Sequence, residues 1–330
     1  MVSLRGWAVC AWAMVLTTGT CAKPAAVNHG DAANDLPVAA PPDPFSPRRL
    51  SDPPRTVAER PFGTTLAVLT DGARTVVLVG PQRRFEEPTA KNAVVTTAWV
   101  RALPAPFSGA LDDKTTAWLD AALVDPSPDL LALAMEYIDG APPILDAKKV
   151  QIAGDADYGP LTDLGTREEG ADFNDYLGLP WTFSDGTLDR PHGDMLHSLD
   201  CSGYMRMLWG YRNGVPLAPG PVTAGQALPR RAVQMDASSP GIVIISNQQA
   251  PPMTMDQLQP GDLVFFDADP TDGPAIDHVG MFLDKDEAGH YRFISSRKNA
   301  NGPTLGDDHG ASLLDGTGLY AQSFRSARRL

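Results

Sequence analysis

The stretch that decides the fold of the second half of this chain is His197-Ser-Leu-Asp-Cys-Ser-Gly-Tyr-Met-Arg-Met-Leu-Trp-Gly-Tyr211. Asp200 is of a type favoured directly before a helix, and apolar side chains then recur at helical spacing. The pattern predicts a helix whose first turn holds Cys201. Because the helix dipole and the free amides of a first turn favour negative charge, we expect a thiolate-forming, nucleophilic cysteine there.

The cysteine count supports this interpretation. The chain has 3 cysteines, and Cys10 and Cys21 lie near its N-terminus, where Arg5 precedes an apolar run and then small residues. That order predicts a secretory signal peptide over residues 1–22. Cys201 is then the single cysteine of the mature chain, unless a lipid-modified Cys21 is retained as a membrane anchor. In an oxidising compartment an inert buried cysteine is the less natural alternative.

Composition narrows the classes of partner. The formal net charge is -13 and the pI is about 4.8, which argues against nucleic acid and anionic membranes as electrostatic partners. With 43% hydrophobic and 20% charged residues, the chain can form a packed core. We find no phosphate-binding glycine loop and no paired Cys-x-x-Cys, so we expect no cofactor. We also expect the protein to be a monomer.

The chain divides into four predicted segments. After the signal peptide, residues 23–55 are rich in Pro and Ala and predict a tether. Residues 56–150 predict a small mixed α/β module with a hairpin at Asp71-Gly72. Its expected elements are three strands and two helices, at Thr65–Leu69, Arg74–Val79, Ala93–Leu103, Thr115–Leu123 and Asp129–Ile138. Residues 151–330 hold the candidate chemistry.

His278 is the candidate base for the cysteine. It begins the apolar run Asp277-His-Val-Gly-Met-Phe-Leu283, which predicts a strand with His278, Gly280 and Phe282 on one face. A glycine on the same face should leave open space beside the ring. Two further predicted strands, Leu263–Phe266 and Tyr291–Ser295, flank this run. A cysteine nucleophile requires such a histidine to take its proton.

Three motifs carry a family resemblance. Leu199-Asp-Cys-Ser-Gly-Tyr204, Leu258-Gln-Pro-Gly-Asp-Leu-Val-Phe-Phe266 and Asp277-His-Val-Gly-Met-Phe282 resemble, in order, the NlpC-type cysteine peptidase family. The resemblance implies an α+β, papain-like domain with the nucleophile helix packed on an antiparallel sheet. It also implies that Cys201 is the nucleophile and His278 the base. The implied substrates are peptidoglycan stem peptides, cut by a secreted or envelope-associated enzyme, with a γ-D-glutamyl bond as the expected target.

The resemblance is incomplete at two positions. The family commonly places His, Asn or Gln in the strand after the base, and here Ser295 falls there, with Asn299, Asn301 and Asp308 as possible substitutes. The family's upstream Tyr corresponds to Trp181 in Leu179-Pro-Trp-Thr-Phe-Ser-Asp-Gly186, which we expect to line the substrate cleft. Other expected substrate-binding residues are Asp200 and Ser202 beside the nucleophile and Arg297, suited to a substrate carboxylate.

Several alternatives stay open at this point. His192-Gly-Asp-Met-Leu-His197 carries potential zinc ligands, but its spacing matches no helical site, and a solvent-exposed loop is favoured. Residues 218–253 form a predicted insertion whose Pro229-Arg-Arg231 would meet substrate carboxylates or lie in a surface loop. A weakened triad would fit a non-catalytic wall-peptide binding module. The same Cys/His chemistry would also serve an acyltransferase.

Overall fold

The computed structural model describes residues 43–60, 63–269, 271 and 273–330. The predicted signal peptide, Cys10, Cys21 and most of the predicted tether lie outside these described residues. The described residues belong to one compact unit.

A five-stranded antiparallel sheet forms the first half of this unit, with its strands in chain order. The strands are β1 Ser46–Ser51, β2 Pro54–Arg60, β3 Thr64–Thr70, β4 Thr75–Phe85 and β5 Val94–Ala102. The predicted hairpin at Asp71-Gly72 joins β3 to β4. The chain enters the sheet at Ser46, inside the segment predicted as tether, because β1 gains its order by pairing with β2.

Two helices follow this sheet, α1 Asp113–Val124 and α2 Leu130–Met135. The sequence predicts Asp112 or Asp113 as the cap of α1, and Asp112 is the cap, accepting a hydrogen bond from the Thr115 amide at 2.8 Å. Asp129 caps α2 at the Ala132 amide and also binds Arg83 of β4. That second contact ties the helices to the sheet. A short hairpin then pairs β6 Ile144–Leu145 with β7 Gln151–Ala153.

The second half contains four helices, a two-stranded hairpin and a six-stranded sheet. The helices are α3 Phe173–Leu177, α4 Cys201–Met205, α5 Ala232–Ser238 and α6 Leu319–Ser323, with a 3-10 turn at Gly193–Met195 and a π-helical continuation of α4 at Arg206–Arg212. The strands are β8 Trp181–Thr182, β9 Leu188–Asp189, β10 Ile242–Ile245, β11 Leu263–Phe266, β12 His278–Lys285, β13 Tyr291–Arg297, β14 Gly302–Thr304 and β15 Phe324–Arg329. No helix in the described part of the chain reaches the length and hydropathy of a membrane span.

The six-stranded sheet is antiparallel, with the order β10-β15-β11-β12-β13-β14. Helices and antiparallel sheets thus share the unit, in agreement with the expected α+β class. The three strands predicted from the sequence lie at its centre. The other three, β10, β14 and β15, were not predicted, because they are short or carry arginines in an irregular pattern.

Side chains of the central strands alternate between two cores. Leu263, Phe265 and Val279 pack into a core that also contains Cys201, whereas Val264 and Phe266 pack into a second core on the opposite face. Helix α4 packs against β12 and β13 on the first face. The predicted alternation of β12 is therefore confirmed, and it places the nucleophile helix directly over the strand that carries His278.

The predicted insertion at residues 218–253 contributes α5 and β10. Hydrogen bonds from Arg206 hold its first part in place. The Arg206 side chain is fully buried and donates from Nη1 to the Ala218 and Leu228 carbonyls, both at 2.8 Å. Its Nε lies 2.9 Å from Asp172, which compensates the buried charge. The insertion is therefore part of the packed domain.

The two larger sheets are joined by hydrogen bonds. The Leu330 carbonyl accepts from the amides of Arg74 at 2.8 Å and Thr75 at 2.7 Å. Arg329 of β15 donates to Asp262 and to Thr70 of β3. The predicted module thus shares a continuous interior with the segment that holds the candidate chemistry.

Candidate active site

Cys201 is the first residue of α4, and Asp200 caps the helix by accepting from the Gly203 amide at 2.7 Å. The predicted helix start is therefore confirmed. Gly203 is required by its surroundings, because a Cβ there would lie 2.2 Å from the Ala171 carbonyl oxygen. The segment before α3 consequently lies against the nucleophile helix.

The surroundings of the thiol do not favour the thiolate. The Cys201 side chain is buried, with 7% of the residue exposed. Burial raises the pKa of the thiol to about 12, and the Asp200 carboxylate raises it further, while the Val279 amide and Arg230 oppose the shift. Burial therefore opposes the expected thiolate in the free protein, because desolvation outweighs the effect of a short helix start.

His278 begins β12, one residue before the amide that faces the thiol. Its Nε2 lies 3.0 Å from the Ser295 hydroxyl oxygen on β13, within hydrogen-bond distance. With Nε2 engaged, Nδ1 is the ring nitrogen that remains for the Cys201 thiol. The structure thus joins His278 to Ser295 and places Cys201 beside the amide of the next residue, Val279.

Gly280 allows this approach of β13, although not by leaving open space. A Cβ at Gly280 would lie 2.8 Å from Phe293 Cδ2 and 3.1 Å from Ser295 Cβ. The space expected beside His278 is filled by the neighbouring strand, which is how Ser295 reaches the imidazole.

The imidazole is held in its neutral form. Burial lowers the pKa of His278 to about 3, the Arg297 cation lowers it further, and Asp200 acts in the opposite direction. Thiol and imidazole are therefore both uncharged at neutral pH. Such a pair transfers its proton during the attack on a substrate and not before it.

A cleft of about 630 Å³ opens beside His278. It is deep enough for part of a peptide chain and mixes apolar with charged groups. Its lining residues are Tyr158, Glu169, Arg231, Ala232, Val233, Ala268, Asp269, Ala275, Ile276, Asp277, His278, Arg297, Lys298, Asn299, His309, Leu319 and Tyr320.

Asp200 and Ser202, expected to bind substrate, are instead bonded to the insertion. Arg230 donates to Asp200 Oδ2 at 2.8 Å and to the Ser202 hydroxyl at 2.7 Å. Ser202 in turn donates to Asp200 at 3.0 Å. Both side chains are buried in this network. They position the nucleophile helix and have no free group to offer a ligand.

Arg297 lies in the cleft wall, but its guanidinium is bonded to its own chain. It donates to the Gly310 carbonyl, to the Ser312 hydroxyl at 2.6 Å and to the Gly306 carbonyl at 3.2 Å. Only 2% of the residue is exposed. The predicted role as a carboxylate ligand is therefore not supported, because burial and these acceptors occupy its terminal nitrogens.

Trp181 does not line the cleft. Its ring packs edge-on against Phe173 at 5.1 Å and Tyr211 at 6.1 Å between centroids. Tyr158, which sequence reasoning missed, lines the cleft instead. Burial raises the pKa of the Tyr158 phenol, and the Cys201 thiol adds to this shift, so the two groups are close.

The position of Tyr158 depends on a long-range pairing. Asp157 bridges to Ser198, three residues before Cys201 in the chain. Asn301 donates to Asp157 at 2.5 Å and accepts from the Tyr158 amide at 3.3 Å. Asn301 thus positions Tyr158 rather than His278. No local pattern in the sequence marks this contact.

The remaining candidate residues for catalysis or metal binding are spread over the cleft, a loop and internal contacts. Asn299 lines the cleft and Asp308 is exposed on a loop. The His192 amide and ring both bind Asp175, and the His197 ring lies 5.5 Å from that of Tyr176. Within the described ranges, no group of three or more His, Cys, Asp or Glu is placed to hold a metal ion.

Residues 186–301 match the model of the NlpC/P60 family, and this segment contains Cys201, His278 and Ser295. The chain carries an NlpC/P60 domain. Domains of this family are generally cell-wall cysteine peptidases or amidases. The match ends before Tyr320 and begins after Tyr158, so both of these residues of the cleft lie outside the NlpC/P60 segment.

Two solved structures show similarity to the chain that carries this NlpC/P60 domain. One is a protein from Staphylococcus aureus described as similar to a lipoprotein of the NLP/P60 family, with 16% identity and a TM-score of 0.27 over 75% of this chain and 56% of that protein. The other is NlpC1 from Trichomonas vaginalis, with 12% identity and a TM-score of 0.29 over 86% of this chain and 88% of that protein. No curated protein matches the chain.

Proposed function

We propose that this protein is a secreted cysteine endopeptidase that hydrolyses peptidoglycan stem peptides. The observation that carries the proposal is a pair of contacts around His278, which lines the cleft. The Val279 amide faces the Cys201 thiol, and the adjacent His278 ring is held at 3.0 Å by Ser295. These contacts support the assignment of Cys201 as nucleophile, His278 as base and Ser295 as orienting group in thiol acyl transfer.

The chemistry begins from a neutral pair. As the Cys201 sulfur bonds to the scissile carbonyl carbon, its proton passes to Nδ1 of His278. The imidazolium then gives this proton to the leaving amine as the C–N bond breaks, which leaves a thioester. Water attacks the thioester with His278 as base, releases the acid and restores the thiol. The overall fold class that we assign to this machinery is papain-like, with α4 packed on the antiparallel sheet.

The cleft suggests how a stem peptide is bound. Stem peptides carry several carboxylates, and we assign their recognition to Arg231, whose exposed side chain lines the cleft. Its neighbour Arg230 is fixed to Asp200 and Ser202, which anchors the backbone at this point. Tyr158 offers a hydroxyl on the Cys201 side of the cleft. We infer cleavage at a γ-D-glutamyl bond.

The protein would act outside the cytoplasm. The N-terminal order of charged, apolar and small residues favours export, with release or lipid anchoring at Cys21 as its two outcomes. Mass measurement of the N-terminus of the protein recovered from the cell envelope distinguishes a released chain from one that carries a lipid on Cys21.

A second candidate function is a non-catalytic wall-peptide binding module. The observation in its favour is the burial of Cys201, which raises the pKa of the thiol and disfavours the nucleophilic thiolate. A binding module would retain affinity for stem peptides without turnover.

The deciding experiment is digestion of purified muropeptides, read by mass spectrometry, with wild type, Cys201→Ala and Arg231→Gln. We expect cleavage by the wild type, none by Cys201→Ala, and a raised KM for Arg231→Gln. The fragment masses identify the bond, and an added amine acceptor reveals any transferase product. Tight binding of muropeptides without cleavage by the wild type would overturn the peptidase assignment in favour of the binding module.

A further inference from the structure

The five-stranded sheet reaches the strand pair that holds the candidate base. Glu87 follows β4, and its carboxylate accepts from the Leu305 amide at 3.1 Å and from the Thr304 hydroxyl. Thr304 is directly paired with Ser295 between β14 and β13. A residue of the N-terminal sheet is thus bonded to the strand next to Ser295.

This contact continues into the loop at residues 304–310. A Cβ at Gly306 would lie 2.2 Å from Glu87 Oε1 and 1.9 Å from Thr89 Oγ1, so the loop rests closely on these side chains. The Gly306 carbonyl accepts from Arg297 at 3.2 Å and from the Ser312 hydroxyl at 2.8 Å. The loop that Glu87 holds is therefore the one that supplies acceptors to Arg297.

Arg297 and His278 meet at one aromatic ring. The Arg297 guanidinium carbon lies 5.2 Å from the Tyr320 ring centroid, and the His278 ring lies 5.3 Å from the same centroid. Arg297 is thus a fixed cation in the wall beside the imidazole. Its charge opposes protonation of His278.

We propose that Glu87 is a positioning residue for His278, acting through the loop at residues 304–310 and the buried Arg297. The inference rests on the proposed function only where it calls His278 a base. It gives the N-terminal sheet a role in catalysis, because the sheet keeps a cation at a set place in the cleft wall. That cation favours the neutral form of the imidazole.

The sign of the effect distinguishes positioning from simple charge loss. Removal of the Glu87 carboxylate, acting only through space, would make His278 harder to protonate. Release of Arg297 from its place would make His278 easier to protonate, which is the opposite direction. The other titratable groups that surround His278 lie at the start of α4, on α6, before β12 and in the cleft. They are Asp200, Cys201, Tyr320, Asp277, Tyr158, Glu169, Arg231, Asp269, Lys298 and His309.

The test is an NMR titration of the full chain with ¹³C-labelled histidine, in which His278→Gln identifies the His278 signal. We expect Glu87→Gln to raise the His278 pKa by about one unit, and Arg297→Met to raise it at least as far. Glu86→Gln is the matched control, because Glu86 is 63% exposed at the side chain and pairs with Arg84. An unchanged or lowered pKa in Glu87→Gln would overturn the proposal.

Two further measurements keep the test decisive. If Glu87→Gln fails to fold by circular dichroism, Thr304→Val removes one of its hydrogen bonds and keeps the carboxylate, and the same upward shift is expected. With muropeptides, the acid limb of kcat/KM should move to higher pH in Glu87→Gln with KM unchanged. Because the titration needs no substrate, it decides the proposal even if the wild type proves inactive.

Discussion

The two larger sheets differ in how far apart their neighbouring strands lie in the chain. In the five-stranded sheet every strand pairs with the next one along the sequence. In the six-stranded sheet, β15 lies between β10 and β11. The candidate catalytic residues lie on or against the second sheet. Groups from distant segments meet there, which a simple meander does not achieve.

Two ion pairs, one from each sheet, differ in how far their side chains are buried. Arg49 of β1 binds Asp71 at 2.6 Å with 45% and 30% of the two side chains exposed. Arg329 of β15 binds Asp262 at 2.7 Å with both side chains fully buried. Water screens the exposed Arg49–Asp71 pair, whereas neither Arg329 nor Asp262 can lose its partner without leaving a buried charge uncompensated.

The largest effect should come from the base on the second sheet. Replacement of His278 by Gln should lower kcat on muropeptides by about 10²- to 10⁴-fold, because proton transfer is lost. His290→Gln is the matched control, since His290 lies at the surface with Asp315 and should leave kcat unchanged. Steady-state kinetics with both variants make the comparison. Retention of activity by His278→Gln would show that the second sheet does not supply the base.

The buried ion pair should dominate stability. Arg329→Met leaves the Asp262 carboxylate buried without its partner and should lower the free energy of unfolding by about 3–5 kcal/mol. Arg49→Met removes an exposed pair and should cost less than about 1 kcal/mol. Urea unfolding of the two variants measures the difference. Similar losses of unfolding free energy in both variants would contradict the expected difference between the buried and the exposed ion pair.

Acid should weaken the protein through His278. The folded-state pKa is lowered to about 3, so the unfolded chain binds this proton first as the pH falls below about 6.5. Stability is therefore lost from that pH downward. Because the ring lines the cleft and is partly screened, we expect about 1–2 kcal/mol between pH 8 and pH 4.5. Urea unfolding at both pH values should show a smaller loss in His278→Gln, and an equal loss would refute the assignment.

The smallest effect should distinguish two adjacent serines of β13. Ser295→Ala removes the hydrogen bond to His278 and should lower kcat/KM by about 3- to 10-fold, with little change in stability. Ser296 donates to the Leu199 carbonyl, so Ser296→Ala should lower the free energy of unfolding more than kcat/KM. Parallel kinetics and thermal unfolding test this, and a reversed pattern would mean that Ser295 has a structural role only.

Local signals predicted much of the fold. The hairpin at Asp71-Gly72, the caps at Asp112 and Asp200, and the central strands all depend on residues within a few positions of each other. Strands β1 and β15 escaped prediction, because their order comes from partners that local patterns do not specify. The extent of the first sheet was underestimated for the same reason.

The site was predicted unevenly. Motif and strand register single out Cys201, His278 and Ser295, and the structure pairs His278 with Ser295. Trp181 and Arg297 were given binding roles by residue type alone, and each is committed to internal contacts. Tyr158 was missed, since it reaches the cleft through a bridge between distant segments.

The sequence by itself determined which residues are candidates for the reacting groups, the helix start at Cys201 and the alternation that turns His278 toward Ser295. These depend on local backbone geometry, which short patterns encode. Only the tertiary structure decided the charge state of the pair and the occupants of the cleft wall. Protonation depends on desolvation and on charges such as Arg297 that folding brings close, and neither follows from neighbours along the chain.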